Sequence, residues 1–247
     1  MNKQQEDPEF WNTWKRCSTI ETHAIQATKR ARSFVVQSLP KGKLIAIYIK
    51  GSFARREMKR GSDVDMVPIV ASDKFSGPVW EVNERKVKPV VVVPLSLSEL
   101  RKNKLSSRAR HNPDLRAKPD RFLHHLSQSQ IIFGKPIDPK KFPIRTDEVA
   151  LRDEKSIIKN GYIPAFQKNK ISFVTLLKEV FWLVELEQLV AGKHPAHSFV
   201  GIAKSESQRN HLIHTALRFR KREAGRKKQR LFILDLQKYL RTQREIR

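Results

Sequence analysis

Asp63 and Asp65, two positions apart, stand at the head of an apolar run, Met66 to Val70, and a glycine-serine pair, Gly51-Ser52, closes another, Leu44 to Ile49. Side chains on a strand alternate between faces, so positions i and i+2 leave from one side and both carboxylates converge on one point. Convergent carboxylates are hard oxygen ligands of the kind Mg²⁺ takes, with room left for water and phosphate oxygens. A glycine directly after a strand adopts angles closed to other residues and lets a ligand approach the main chain. Ser52 reads as the cap of a short helix, Phe53 to about Lys59, whose first N–H groups and hydroxyl make a seat for phosphate. A strand, a phosphate seat and a carboxylate pair on the next strand outline a site for nucleotidyl transfer.

Gly51-Ser52-Phe53-Ala54-Arg55 followed by Ser62-Asp63-Val64-Asp65 resembles the signature of the DNA polymerase β-like nucleotidyltransferase superfamily, in the form found in the minimal nucleotidyltransferases of archaea and bacteria. The match covers about a quarter of the chain, and its weight lies in the whole constellation rather than in Asp-x-Asp alone. The resemblance implies an NTP substrate, ATP foremost, and transfer of its nucleoside monophosphate to an acceptor hydroxyl with release of pyrophosphate. Gly51 and Ser52 would hold the β- and γ-phosphates, and Asp63 and Asp65 would be catalytic and bind Mg²⁺. Ser62, Arg55 and Arg56 would complete the nucleotide site, with Lys50 a further charge for the leaving group.

The family places a third carboxylate on the next strand, where this chain has Val90, Val91, Val92 and Val93. Three readings stay open: a carboxylate from elsewhere, catalysis with two, or a domain that binds nucleotide without turning it over. Glu81, Glu84 and Glu99 lie near enough in sequence to substitute.

These residues need a sheet to hold them. Apolar positions from Pro8 to Ser38 recur at helical spacing and predict one or two helices packed on it, ended by Pro40 and Gly42. Ala71 to Lys88 reads as a connection or an edge hairpin, and Pro89 to Pro94 as a continuously buried third strand. Ser96 or Ser98 is placed to cap the helix that follows. Arg101 to Arg121 reads as a basic loop, over the site or simply solvated. Gly134-Lys135-Pro136 marks a boundary, so the expected organisation is α+β: a nucleotidyltransferase domain over 1–140, with a small mixed sheet and flanking helices, then a helical bundle over 141–247.

In the helical part, breaks are expected near Gly161 to Pro164, Gly192 to Pro195 and Gly225. Ile171 to Val190 is apolar on most sides and predicts a central helix. It carries Glu185 and Glu187, which must be paired, protonated or functional, since an unpaired buried charge is costly. Resemblance to antibiotic nucleotidyltransferases, whose helical domain contributes a base near the acceptor, makes Glu185 a candidate catalytic residue; a structural ion pair is the alternative. Arg209-Asn210-His211-Leu212-Ile213-His214 resembles the motif of HEPN domains, which in active members cleave RNA.

The 247 residues carry 50 Lys and Arg against 25 Asp and Glu, a formal net charge of +25. Such an excess draws polyanions and makes nucleic acid a candidate partner, with RNA contact along the basic stretch from Arg218 to Arg230. A single cysteine, Cys17, excludes an intramolecular disulfide and fits a reducing cytoplasm. The polar start, Met1 to Asp7, has no apolar signal region, and charges at Lys178, Glu179, Glu185 and Glu187 argue against a membrane span.

Overall fold

The computed structural model describes residues 9–106, 117–222 and 224–242. The chain forms two compact units, Met1–Ile144 and Arg145–Arg247. Strands β1 (Leu44–Lys50), β2 (Val64–Val70), β3 (Val90–Val92), β4 (Leu95–Ser96) and β5 (Gln130–Gly134) all belong to the first unit. They form one mixed sheet in the order β3-β2-β1-β5, with β4 also paired to β2. β1 is antiparallel to both β2 and β5, whereas β3 and β4 run parallel to β2.

The helices of this unit are α1 (Thr19–Gln37), α2 (Gly51–Ala54), α3 (Ser76–Trp80), α4 (Leu97–Lys102) and α5 (Asp120–His124). A capping box starts α1: Ser18 Oγ accepts the Glu21 N–H and the Glu21 carboxylate accepts the Ser18 N–H. Ala24, Ala27, Ala31 and Val35 along α1 bury against the face of Ile47, Ile49, Val64 and Met66. The opposite face, Ala46, Tyr48, Val67 and Ile69, is covered by Leu100, Phe122 and Leu123. Ser96 caps α4 in a second capping box with Glu99.

The segment Ala71 to Lys88 is the connection of the two expected alternatives and not an edge hairpin: it holds a 3₁₀ turn (Asp73–Phe75), α3 and a second 3₁₀ turn (Glu81–Glu84). The reason is topological, since β2 and β3 are parallel and parallel partners need a crossover. The valine run is likewise not buried throughout. Only Val90–Val92 form strand, and the middle residue, Val91, is 39% exposed. β3 is an edge, and the Asn83 side chain stands where another strand would, donating to Val92 O and accepting from Val92 N, each at 2.8 Å. Most of the basic loop, 107–116, lies outside the described residues.

The second unit comprises α6 (Asp147–Ile157), α7 (Ile163–Gln167), α8 (Phe173–Val190), α9 (Phe199–Lys204), α10 (Leu212–Lys221) and α11 (Arg226–Thr242). The break expected at Gly161 to Pro164 does not occur: a π-helical turn, Ile158–Tyr162, joins α6 to α7, with Pro164 in the first turn of α7. The widened turn accommodates a proline that has no N–H to give a regular ladder. α8 is the central helix, burying Leu176, Leu177, Val180, Phe181, Leu183 and Val184 against α6, α9 and α10. No helix among the described residues is long and apolar enough to cross a membrane.

Candidate active site

The antiparallel register that places Lys50 opposite Asp65 brings a carboxylate to the turn where β1 ends. At that turn Gly51 has φ +78°, and a Cβ added to it would lie 2.6 Å from Asp65 Oδ2. Glycine is therefore required twice, for its backbone angle and for the space the carboxylate occupies. The corner brings together main chain, carboxylate and the half-buried Ser52, whose hydroxyl makes no hydrogen bond among the described residues.

The helix after the corner is shorter than its sequence predicts. α2 is a single turn, its cap position is Lys50, and no side chain caps it, so Ser52 is not the cap. Arg56 ends the helix early, with φ +57°. Its guanidinium donates to Glu21 Oε1 at 3.0 Å and to the Arg16 carbonyl at 2.5 Å, and lies 4.5 Å from the Trp14 ring centroid. Arg56, with the Ser18 N–H, lowers the Glu21 carboxyl below its ordinary value. Arg56 thus ties the corner to the start of α1, while among the described residues Arg55 makes a surface pair with Glu57, 2.9 Å.

Asp65 lies in β2 and Asp63 just before it; the strand starts at Val64, one residue later than its sequence predicts. Val64 and Met66 are fully buried on the α1 side of the sheet, and both aspartates are half-buried with the opposite parity. Ser62 closes the turn before them: its Oγ accepts the Lys59 N–H at 2.9 Å, and its own N–H bonds the Lys59 carbonyl. The parallel register sets Val91 beside Asp65, with no carboxylate in β3. Glu99 is committed to capping α4 and accepts the Ser96 and Ser106 N–H groups, each at 2.9 Å. Glu84 is exposed and shares with Asp63 the wall of a cavity of about 1000 Å³.

In the helical unit, Glu185 has a partner that no sequence spacing announces. Its Oε1 lies 2.5 Å from His197 Nδ1 across the turn between α8 and α9, and the His197 ring stacks on Trp182 at 4.7 Å. A carboxylate on Nδ1 fixes the tautomer and orientation of an imidazole. Glu187 enters a different chain: the Tyr239 hydroxyl donates to Glu187, His211 Nε2 lies 3.0 Å from that hydroxyl, and His211 Nδ1 accepts the Ile213 N–H at 3.3 Å. Burial pushes the Glu187 carboxyl and the Tyr239 hydroxyl up and pushes His211 down. Arg209 lies in an exposed turn before α10, and His214 on the first turn of that helix.

A small mixed sheet with a glycine-serine corner against Asp65, followed by a helical unit, makes an α+β fold. The fold is similar to that of the spectinomycin adenyltransferase AAD(9) from Enterococcus faecialis, solved with ATP and spectinomycin. The TM-score is 0.56 at 16% identity, over 88% of this chain and 99% of that one. No protein-family model and no curated protein sequence matches the chain.

Proposed function

We propose that the chain transfers a nucleoside monophosphate from an NTP, ATP foremost, to an acceptor hydroxyl. The observation that carries this reading is the contact between Gly51 and Asp65: a Cβ-free corner held against a carboxylate. The paired carboxylates of Asp63 and Asp65 are the donor set that a hard divalent cation takes, and Mg²⁺ bound there would neutralise the triphosphate and charge building on the α-phosphoryl group. The Gly51 backbone and Ser52 hydroxyl orient the β- and γ-phosphates, and Arg55 and Lys50 supply charge near the leaving group. The acceptor oxygen bonds to the α-phosphorus as the bond to the bridging oxygen breaks, and pyrophosphate leaves.

In the helical unit, Glu185 and His197 form a candidate proton-transfer pair. Glu185 is already bonded to His197, so of the two the imidazole is the proton acceptor and Glu185 its positioning carboxylate.

The test uses NTP labelled at the α-phosphate. Wild-type protein with Mg²⁺ moves label to an acceptor or releases pyrophosphate; Asp63→Asn and Asp65→Asn lose this while remaining folded. A second reading, a domain that binds nucleotide and RNA without turnover, is favoured by Val91 at the position beside Asp65. NTP binding and salt-dependent RNA binding with no label transfer would select it.

A further inference from the structure

The cavity that reaches Asp63 does so from the α1 side, and neither Gly51 nor Asp65 lines it. It opens where β2 and β3 begin and reaches Asp63 alone of the two aspartates. Its volume, about 1000 Å³, is at the upper end of small-molecule sites.

Its lining is specific in charge and shape. Lys59, Arg60, Lys88 and His23 bring cationic or protonatable groups, against the carboxylates of Asp63 and Glu84. None of these four side chains forms an ion pair or hydrogen bond among the described residues, and all four are exposed. A concave surface with unpaired cations concentrates anions. The remaining wall is apolar: Trp80, Met58, Ile20 and Val91, of which Ile20 and Val91 are each 39% exposed. The Asn83 amide is spent on the main chain of Trp80 and Val92, which fixes this wall rather than offering a ligand group. A half-buried indole beside unpaired cations suits a planar ring carrying phosphate, the pairing that single-stranded nucleic-acid sites use.

We propose that this cavity is the acceptor site and that the acceptor is a nucleoside phosphate, either a free nucleotide or the end of an RNA strand. The inference rests on the nucleotidyl-transfer reading for the word acceptor, and on the cavity alone for the class of molecule bound. The hydroxyl oxygen of the bound molecule forms a bond to the α-phosphorus of the NTP, the bond from that phosphorus to the bridging oxygen breaks, and pyrophosphate departs. The hydroxyl proton leaves to water in the open cavity.

The experiment is a titration of the full chain, without NTP, with AMP and separately with a five-nucleotide oligoribonucleotide, read by tryptophan fluorescence. Saturable binding is expected, weakened at least tenfold in Lys59→Glu/Lys88→Glu and unchanged in the charge-matched Lys227→Glu/Lys228→Glu on α11. Saturation by AMP identifies a free nucleotide, and saturation by the oligoribonucleotide alone a strand end. Equal loss in the two double variants, no loss in either, or no saturation by either probe overturns the site. Preferential binding of a polycationic aminoglycoside overturns the ligand class. If nucleotidyl transfer fails, no variant transfers label but charge-dependent binding persists. If this proposal fails and transfer stands, label transfer proceeds with an acceptor whose binding ignores Lys59 and Lys88.

Discussion

Val91 lies beside Asp65 in the parallel pair of β2 and β3, on the same face of the sheet, and is 39% exposed. Its neighbours Val90 and Val92 pack into the core against α1, so position 91 lies outside that core. A carboxylate there would join Asp63 and Asp65. Val91→Asp is expected to bind Mg²⁺ more tightly, lowering the half-saturating concentration for label transfer roughly tenfold, about 1.4 kcal/mol. Unchanged metal dependence with intact folding would show that this position does not face the metal.

Asp63→Asn and Asp65→Asn each remove a charge without changing shape. Label transfer should fall by roughly 10²-fold or more, the scale of losing one electrostatic stabiliser of a transition state. Circular dichroism and thermal melting should stay near wild type, because both side chains are half-buried rather than core.

Gly51→Ala places a Cβ against Asp65 Oδ2 and forces an alanine to φ +78°. The backbone strain alone costs about 1–3 kcal/mol, and the displaced carboxylate should weaken NTP binding as well. Denaturant unfolding and equilibrium dialysis with ATP would measure the two effects separately. A fully stable variant that binds ATP normally would contradict the geometry of the corner.

Arg55 and Arg56 are neighbours with different work. Arg56 is bound to Glu21, the Arg16 carbonyl and the Trp14 ring, so Arg56→Ala should lower the melting temperature. Arg55→Ala should leave melting unchanged and raise the apparent KM for NTP. The reverse assignment of the two phenotypes would exclude Arg55 from the phosphate site.

His211 caps α10 through Nδ1, which accepts an N–H only while unprotonated. Burial lowers its pKa below the ordinary 6.5. A depressed pKa contributes stability that is present above the unfolded value and is lost as pH falls through the folded one. Melting temperature should therefore drop on acidification below about pH 6.5, and the drop should shrink in His211→Asn, a cap that does not titrate. Burial raises Glu187, which contributes with the opposite sign, its stabilisation fading as pH rises from the carboxylate range through its raised pKa. The two windows separate in a melting series from pH 4 to 8.

Glu185→Gln and His197→Ala test whether the pair moves a proton. If the imidazole is the acceptor and Glu185 its positioning group, both variants lower kcat and shift the acid limb of its pH profile, His197→Ala more severely. Loss of melting temperature with an unaltered pH profile would assign the pair to packing in the helical unit.

Local patterns were enough to place β1, the glycine after it, the apolar head of β2, the Ser96 cap and the all-round apolar α8, because each depends on residues within a few positions of one another. Alternation along a strand applies to Asp65 and not to Asp63, which precedes β2. Three features depended on contacts between distant segments and left no local trace. Arg56 is tied to Glu21, 35 residues away. The outward aspect of Val91 follows from α1 packing on the face that Val90 and Val92 share, which a run of valines does not encode. The partner of Glu185 is His197, across a turn rather than one of the many lysines and arginines. Composition and periodicity thus determined which elements form and which residues carry charge, whereas only sheet order and long-range pairing decided which of those charges face the corner and which are spent holding the fold together.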